Sequence, residues 1–121
     1  MRKFLFRGKK QNGEWLHGDL VHYGDKILIF SENAQNSPGY YEVEPETVGQ
    51  FTVVTDKNGV KIFEGDILSQ ILYKENYYSY VKYIDNGFYS VGINGITSIN
   101  ILKSQGKIII GNIHNNPEKL I

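Results

Sequence analysis

The chain has 121 residues, 13 basic and 13 acidic side chains, and no cysteine. Disulfides, zinc–thiolate centres and thiol catalysis are therefore excluded. A formal net charge of zero gives little long-range steering towards nucleic acid or an anionic membrane.

The length suffices for a real hydrophobic core. The apolar run after Met1-Arg2-Lys3 ends at Arg7, too short for a signal peptide or a membrane span. A soluble protein without a membrane partner is expected. Lys3 to Arg7 alternates around Phe4 and Phe6 and reads as a strand. Asn12-Gly13 signals a hairpin. Glu14 to Val21 continues as a strand, with a kink or bulge expected at Gly18. Tyr23 to Lys26 is a turn, and Ile27 to Phe30 a short apolar strand. Ser31 to Gly39 is polar and reads as a loop. Tyr40 to Val43 resumes β character. Pro presets φ, so Pro45-Glu46-Thr47 predicts a tight turn or a short 3₁₀ piece. A boundary is placed here, between an N-terminal β lobe (1–47) and a second domain (48–121), with the two lobes packed together.

Phe51-Thr52-Val53-Val54 suits a pleated, half-buried surface. In Asp56-Lys57-Asn58-Gly59, Asn-Gly fits the two central positions of a type I′ hairpin turn. A calcium loop would need further acidic positions and a later glycine. Gly65-Asp66 then opens a strand from Ile67 to Tyr73, as in the first long strand of a small barrel. Lys74-Glu75-Asn76 is read as the loop before a strand from Tyr77 to Ile84. Asp85-Asn86-Gly87 and Asn94-Gly95 are further hairpin turns around a strand from Phe88 to Ile93. Ile96 to Lys103 is β-rich, Lys107 to Ile113 is the closing strand, and Asn116-Pro117 ends it. Short strands with four Asn-Gly turns predict an all-β fold.

The run from Pro45 to Thr52, then Asp56-Lys57-Asn58-Gly59, then Ile62-Phe63-Glu64-Gly65-Asp66-Ile67, resembles the signature of YopX-like phage and prophage proteins. Phe4-Leu5-Phe6-Arg7 with Gly18-Asp19-Leu20 resembles that family's opening. Ile110-Gly111-Asn112-Ile113-His114-Asn115-Asn116-Pro117-Glu118 resembles its ending. The similarity runs nearly end to end, with a variable middle from Ser69 to Gly106. One departure is Val53, where the family has glycine, which argues against a tight bend there. The resemblance implies a small, mostly β protein with a C-terminal SH3-like barrel over residues 48–121, acting in the cytoplasm of a bacterial host. It supplies no catalytic residues.

The residues themselves offer little chemistry. His17, His22 and His114 are scattered, without an acidic cluster beside them, and no metal or other cofactor is expected. No serine lies in a nucleophile elbow, and no glycine-rich phosphate loop is present. Glu42, Glu44 and Glu46 alternate around Pro45 and would share a face of an extended chain, as a solvated acidic edge. The most suggestive cluster interleaves aromatics and lysines: Tyr73, Lys74, Tyr77, Tyr78, Tyr80, Lys82, Tyr83, Phe88 and Tyr89. Its binding candidates are Tyr73, Lys74, Tyr78, Tyr80, Lys82 and Tyr89. Such residues on a β-barrel can form a protein-binding face or stack bases and touch phosphates. With zero net charge and so few lysines, tyrosines that simply cover a small core rank first, a face for a host or phage protein or a second copy of the chain second, and nucleic acid third. A non-enzymatic interaction module is expected.

Overall fold

The computed structural model describes residues 4–31, 38–92, 95–98 and 106–120. Their regular structure is β1 (Phe6–Lys9), β2 (Trp15–Tyr23), β3 (Lys26–Ser31), β4 (Gly39–Thr55), β5 (Lys61–Phe63), β6 (Asp66–Leu72), β7 (Glu75–Ile84), β8 (Gly87–Gly92), β9 (Gly95–Ser98), β10 (Ile108–Asn112) and a 3₁₀ turn, Pro117–Leu120. The fold is all-β. Among the described residues, no helix is long and apolar enough to cross a membrane. The chain divides into two compact units, Met1–Phe51 and Thr52–Ile121. This division falls inside β4, four residues beyond the lobe boundary read from the sequence.

The first unit is a ring of antiparallel strands. β1 pairs with β2, β2 with β3, β3 with β4, and β4 returns to β1. β2 serves two partners in turn: Trp15 to Gly18 face β1, and Asp19 to Tyr23 face β3. Gly18 marks the exchange. A Cβ there would lie 1.7 Å from the Phe30 carbonyl oxygen, so only glycine allows this approach. Leu16, Ile29 and Val43 form the buried centre, with Leu20, Ile27, Tyr41 and Val48 against them.

The expected turn at Pro45 is instead a bulge within β4. Lys9 faces Glu44 whereas Arg7 faces Gly49, so β4 accommodates extra residues between them. Thr47 fastens the bulge: its hydroxyl donates to the Glu44 carbonyl at 2.6 Å and accepts the Lys9 N–H at 2.8 Å. Pro has no N–H to offer a ladder, and a bulge is where a strand tolerates it.

The second unit contains a five-stranded antiparallel sheet in the order β10-β6-β7-β8-β9. Its core is Val54, Ile62, Leu68 and Val81, with Phe88 and Ile109 packed on them. Asp56 ties its first hairpin to its last strand. One carboxylate oxygen accepts the N–H groups of Asn58 and Val60, each at 2.9 Å. The other accepts the Ile109 N–H at 3.1 Å. Backbone donors therefore occupy the oxygens that a calcium loop would offer to a cation.

Turn geometry differs from expectation at several places. Gly13 and Gly59 take φ of 94° and 83°, while Asn12 and Asn58 are not left-handed. Both turns thus need positive φ only at the glycine. The tight two-residue loop with positive φ throughout is Tyr73-Lys74, at 52° and 70°. It is closed by the Leu72–Glu75 pair, so Glu75 and Asn76 already belong to β7. Val53 also takes a left-handed φ of 72°. The bend that the branched side chain argued against is present. Thr52 holds it, donating its hydroxyl to the Ile62 carbonyl at 2.8 Å and accepting the Val54 N–H at 3.2 Å. The β-rich reading of residues 96–103 lies partly outside the described residues, as does most of the Ser31–Gly39 loop.

Candidate functional site

Strand alternation sorts the tyrosine-rich cluster into two groups. Directly paired residues share a face of the sheet. Tyr78 stands opposite Ser69, Tyr80 opposite Ile67 and Val91, and Lys82 opposite Tyr89. Tyr89 in turn stands opposite Ser98, and Val91 opposite Ile96. Tyr78, Tyr80, Lys82 and Tyr89 therefore lie on one face. Leu68, Ser79, Val81, Ser90 and Ile109 lie on the other, which is the core face.

Tyr77, Tyr83 and Phe88 fall on the core side by the same alternation. Tyr83 and Phe88 meet edge to face with ring centroids 5.1 Å apart. Tyr77 lies near the open end of that side and donates its hydroxyl to Glu75 at 3.1 Å. The Glu75 carboxylate raises the Tyr77 phenol above its usual range, through that hydrogen bond first and its negative charge second.

The outer face is mixed. Ile67 is fully buried, but Tyr78 is 43% exposed and Lys82 is exposed. Ile71 and Ile96 extend the same face and are largely exposed. Both were missed as site residues from the sequence, although the period-two pattern from Ile67 through Ser69 to Ile71 carried the signal. Tyr73 and Lys74 form the turn at the β6–β7 tip, where Tyr73 is 96% exposed. The six candidates thus divide into a four-residue face and a two-residue tip.

A second feature lies in the first unit. An open groove of about 570 Å³ lies between the Lys10–Asn12 turn and residues 41–46 of β4, Glu42, Glu44 and Glu46 among them. Lys10 reaches Glu14 at 3.3 Å and sits 5.0 Å from the Tyr41 ring centroid. Glu42 makes a long, exposed ion pair with Lys26, at 3.8 Å. His17 and His22, both exposed, are not part of it. Among the described residues, no three His, Cys, Asp or Glu side chains converge as a metal site would require.

Arg7 and Lys107 are the buried cations among the described residues. Lys107 is 8% exposed, and its ammonium donates to the Ser90 hydroxyl at 3.2 Å. Burial lowers its pKa below the ordinary lysine value.

Comparison with known proteins places this architecture. The family model described as "YopX protein" matches residues 5–121. The crystal structure of protein EF1440 from Enterococcus faecalis is similar over the full length of both chains, with 27% sequence identity and a TM-score of 0.66. No curated protein matches the sequence.

Proposed function

The chain belongs to the YopX family, and on that premise we propose that it is a phage- or prophage-encoded binding module acting in the bacterial cytoplasm through protein contacts rather than catalysis. In this reading the second unit is an SH3-like barrel. Its support is the pairing of β6, the first strand of its sheet, with β10, the last, which draws a meander towards closure. The observation that carries the binding reading is the sorting of Tyr78, Tyr80, Lys82 and Tyr89 onto the face opposite the core. Tyrosines combine large contact area with a polar tip, and they are enriched at interfaces for that reason. The face carries one lysine among its named candidates, too little positive charge to hold a phosphate backbone by counterion release.

The acidic groove is the alternative place for chemistry. A general acid–base pair needs one carboxyl kept protonated by burial or a close like charge. Glu42 and Glu46 are exposed, and Glu42 already faces Lys26. These features support a solvated acidic surface.

The test is capture of partners from host lysate with and without nuclease, comparing the natural chain with Tyr78→Ala/Tyr80→Ala. The proposal expects a stoichiometric protein that survives nuclease and is lost with the double variant while its circular dichroism stays native. Undiminished capture by that variant refutes this surface. Recovery of nucleic acid alone, abolished by nuclease, refutes the protein-binding reading.

A further inference from the structure

The β6–β7 tip is an expensive way to end a hairpin. A two-residue loop with both φ values positive favours Asn and Gly. Here it is built from tyrosine and lysine, at 52° and 70°. Left-handed backbone in such residues is strained, and strain of this kind gathers at functional positions. Tyr73 recovers nothing by burial, since 96% of its surface is exposed. Ile71, two residues earlier, is 71% exposed. The result is an aromatic ring and an ammonium held out together on a paired, two-stranded stalk.

The groove of the first unit has the complementary chemistry. Half-buried Tyr41 and exposed Pro45 give it apolar surface, and Glu42, Glu44, Glu46 and Lys10 are among its lining residues. Lys10 is committed to Glu14 and Tyr41, and Lys26 to Glu42. Glu44 and Glu46 make no ion pair among the described residues. The volume, about 570 Å³, is in the range of pockets that enclose small organic ligands, with room for a phenol ring. The placement of Lys10 over Tyr41 shows this surface already accommodating an ammonium beside an aromatic ring.

We propose that Tyr73 and Lys74 of one copy dock into the Tyr41–Glu46 groove of a second copy, the ring against the apolar wall and the ammonium at Glu44 and Glu46. This rests on the binding-module reading and names its partner as the chain itself. Tip and groove are different patches, so the contact is head to tail. Each added copy leaves one tip and one groove open, and assembly proceeds to a ring or an open chain. An acidic groove disfavours nucleic acid as its occupant. The lysine at the tip makes the contact weaken with salt.

Sedimentation velocity of the full chain over a broad concentration range tests this. The natural protein is expected to self-associate at low salt. Tyr73→Ala, Lys74→Glu and the pair Glu44→Lys/Glu46→Lys should each weaken association about tenfold or more, as loss of an interface anchor does, with near-ultraviolet circular dichroism unchanged. Tyr73→Ala keeps an intact groove, and Glu44→Lys/Glu46→Lys keeps an intact tip but a groove that repels Lys74. Mixed, these two variants should form one-to-one dimers that grow no further. A natural chain that stays monomeric throughout overturns the proposal, as do variants that associate like it or a mixture that does not pair. If the chain is monomeric yet the Tyr78/Tyr80 face still captures a protein, the self-docking fails and the binding-module reading stands.

Discussion

Val53 offers a direct test of whether its left-handed backbone is strained. A branched residue at φ 72° stores about 2 kcal/mol, within the range for such outliers. Val53→Gly releases that strain. It also removes a side chain that is 46% exposed, losing about 0.8 kcal/mol of burial, and adds about 0.7 kcal/mol of unfolded-chain entropy. The sum is a gain of about 0.5 kcal/mol, where glycine in a strand normally costs stability. Val60 is the control, similarly exposed but with ordinary φ. Val60→Gly incurs the same two losses without relief and should cost about 1.5 kcal/mol. The two variants should therefore differ by about 2 kcal/mol, or about 8 °C in Tm for a chain of this size. Urea unfolding and thermal melts followed by circular dichroism read this difference. If Val53→Gly is destabilised as much as Val60→Gly, the strain argument is refuted.

Three further outcomes follow from particular contacts. Asp56→Ala removes the acceptor of three backbone N–H groups, two exposed in the first hairpin of the second unit and one part-buried in β10; urea denaturation should show a loss of about 2 kcal/mol, and asparagine should restore part of it. Gly18→Ala drives a methyl group into the Phe30 carbonyl and should cost about 3 kcal/mol in the same assay. The pKa of Lys107 is lowered by burial, so in the window between that depressed value and the ordinary lysine value the unfolded chain binds more protons. Stability attributable to this group should rise with pH through that window and be flat below it. Lys107→Met should remove the rise, seen as a difference between the two proteins' stability–pH curves above neutrality.

The all-β character was legible because strand alternation and turn residues are local signals. β7 could be read from its alternation, and alternation alone separates Tyr78 and Tyr80 from Tyr77 and Tyr83. The closing of β1 onto β4 was not legible, since nothing in Phe6 to Lys9 encodes its distant partner. Pro45 was read as a turn because its missing N–H and fixed φ suit one; a bulge meets both requirements, and the Thr47 hydroxyl supplies the bonds that favour it. Val53 and Tyr73-Lys74 misled for a common reason. Local propensity disfavours left-handed backbone at both. At Val53 the overriding bonds belong to the neighbouring Thr52. The groove escaped recognition because the bulge and the Lys10 turn come together only through the β1–β4 pairing.

The ring of the first unit has a consequence for how the chain is made. Phe6 pairs with Gln50, more than forty positions away. Closing so long a loop costs entropy before any contact rewards it, which slows folding. On the ribosome, β2 and β3 can form their hairpin as soon as Ser31 is clear. β1 can lie along β2, but its second edge stays unpaired until the residues around Gly49 and Gln50 emerge. For that interval the nascent chain carries an open strand, Phe6 included, that can recruit a neighbouring chain on the same messenger. Translation speed between Ser31 and Phe51 therefore sets how long that edge stays exposed.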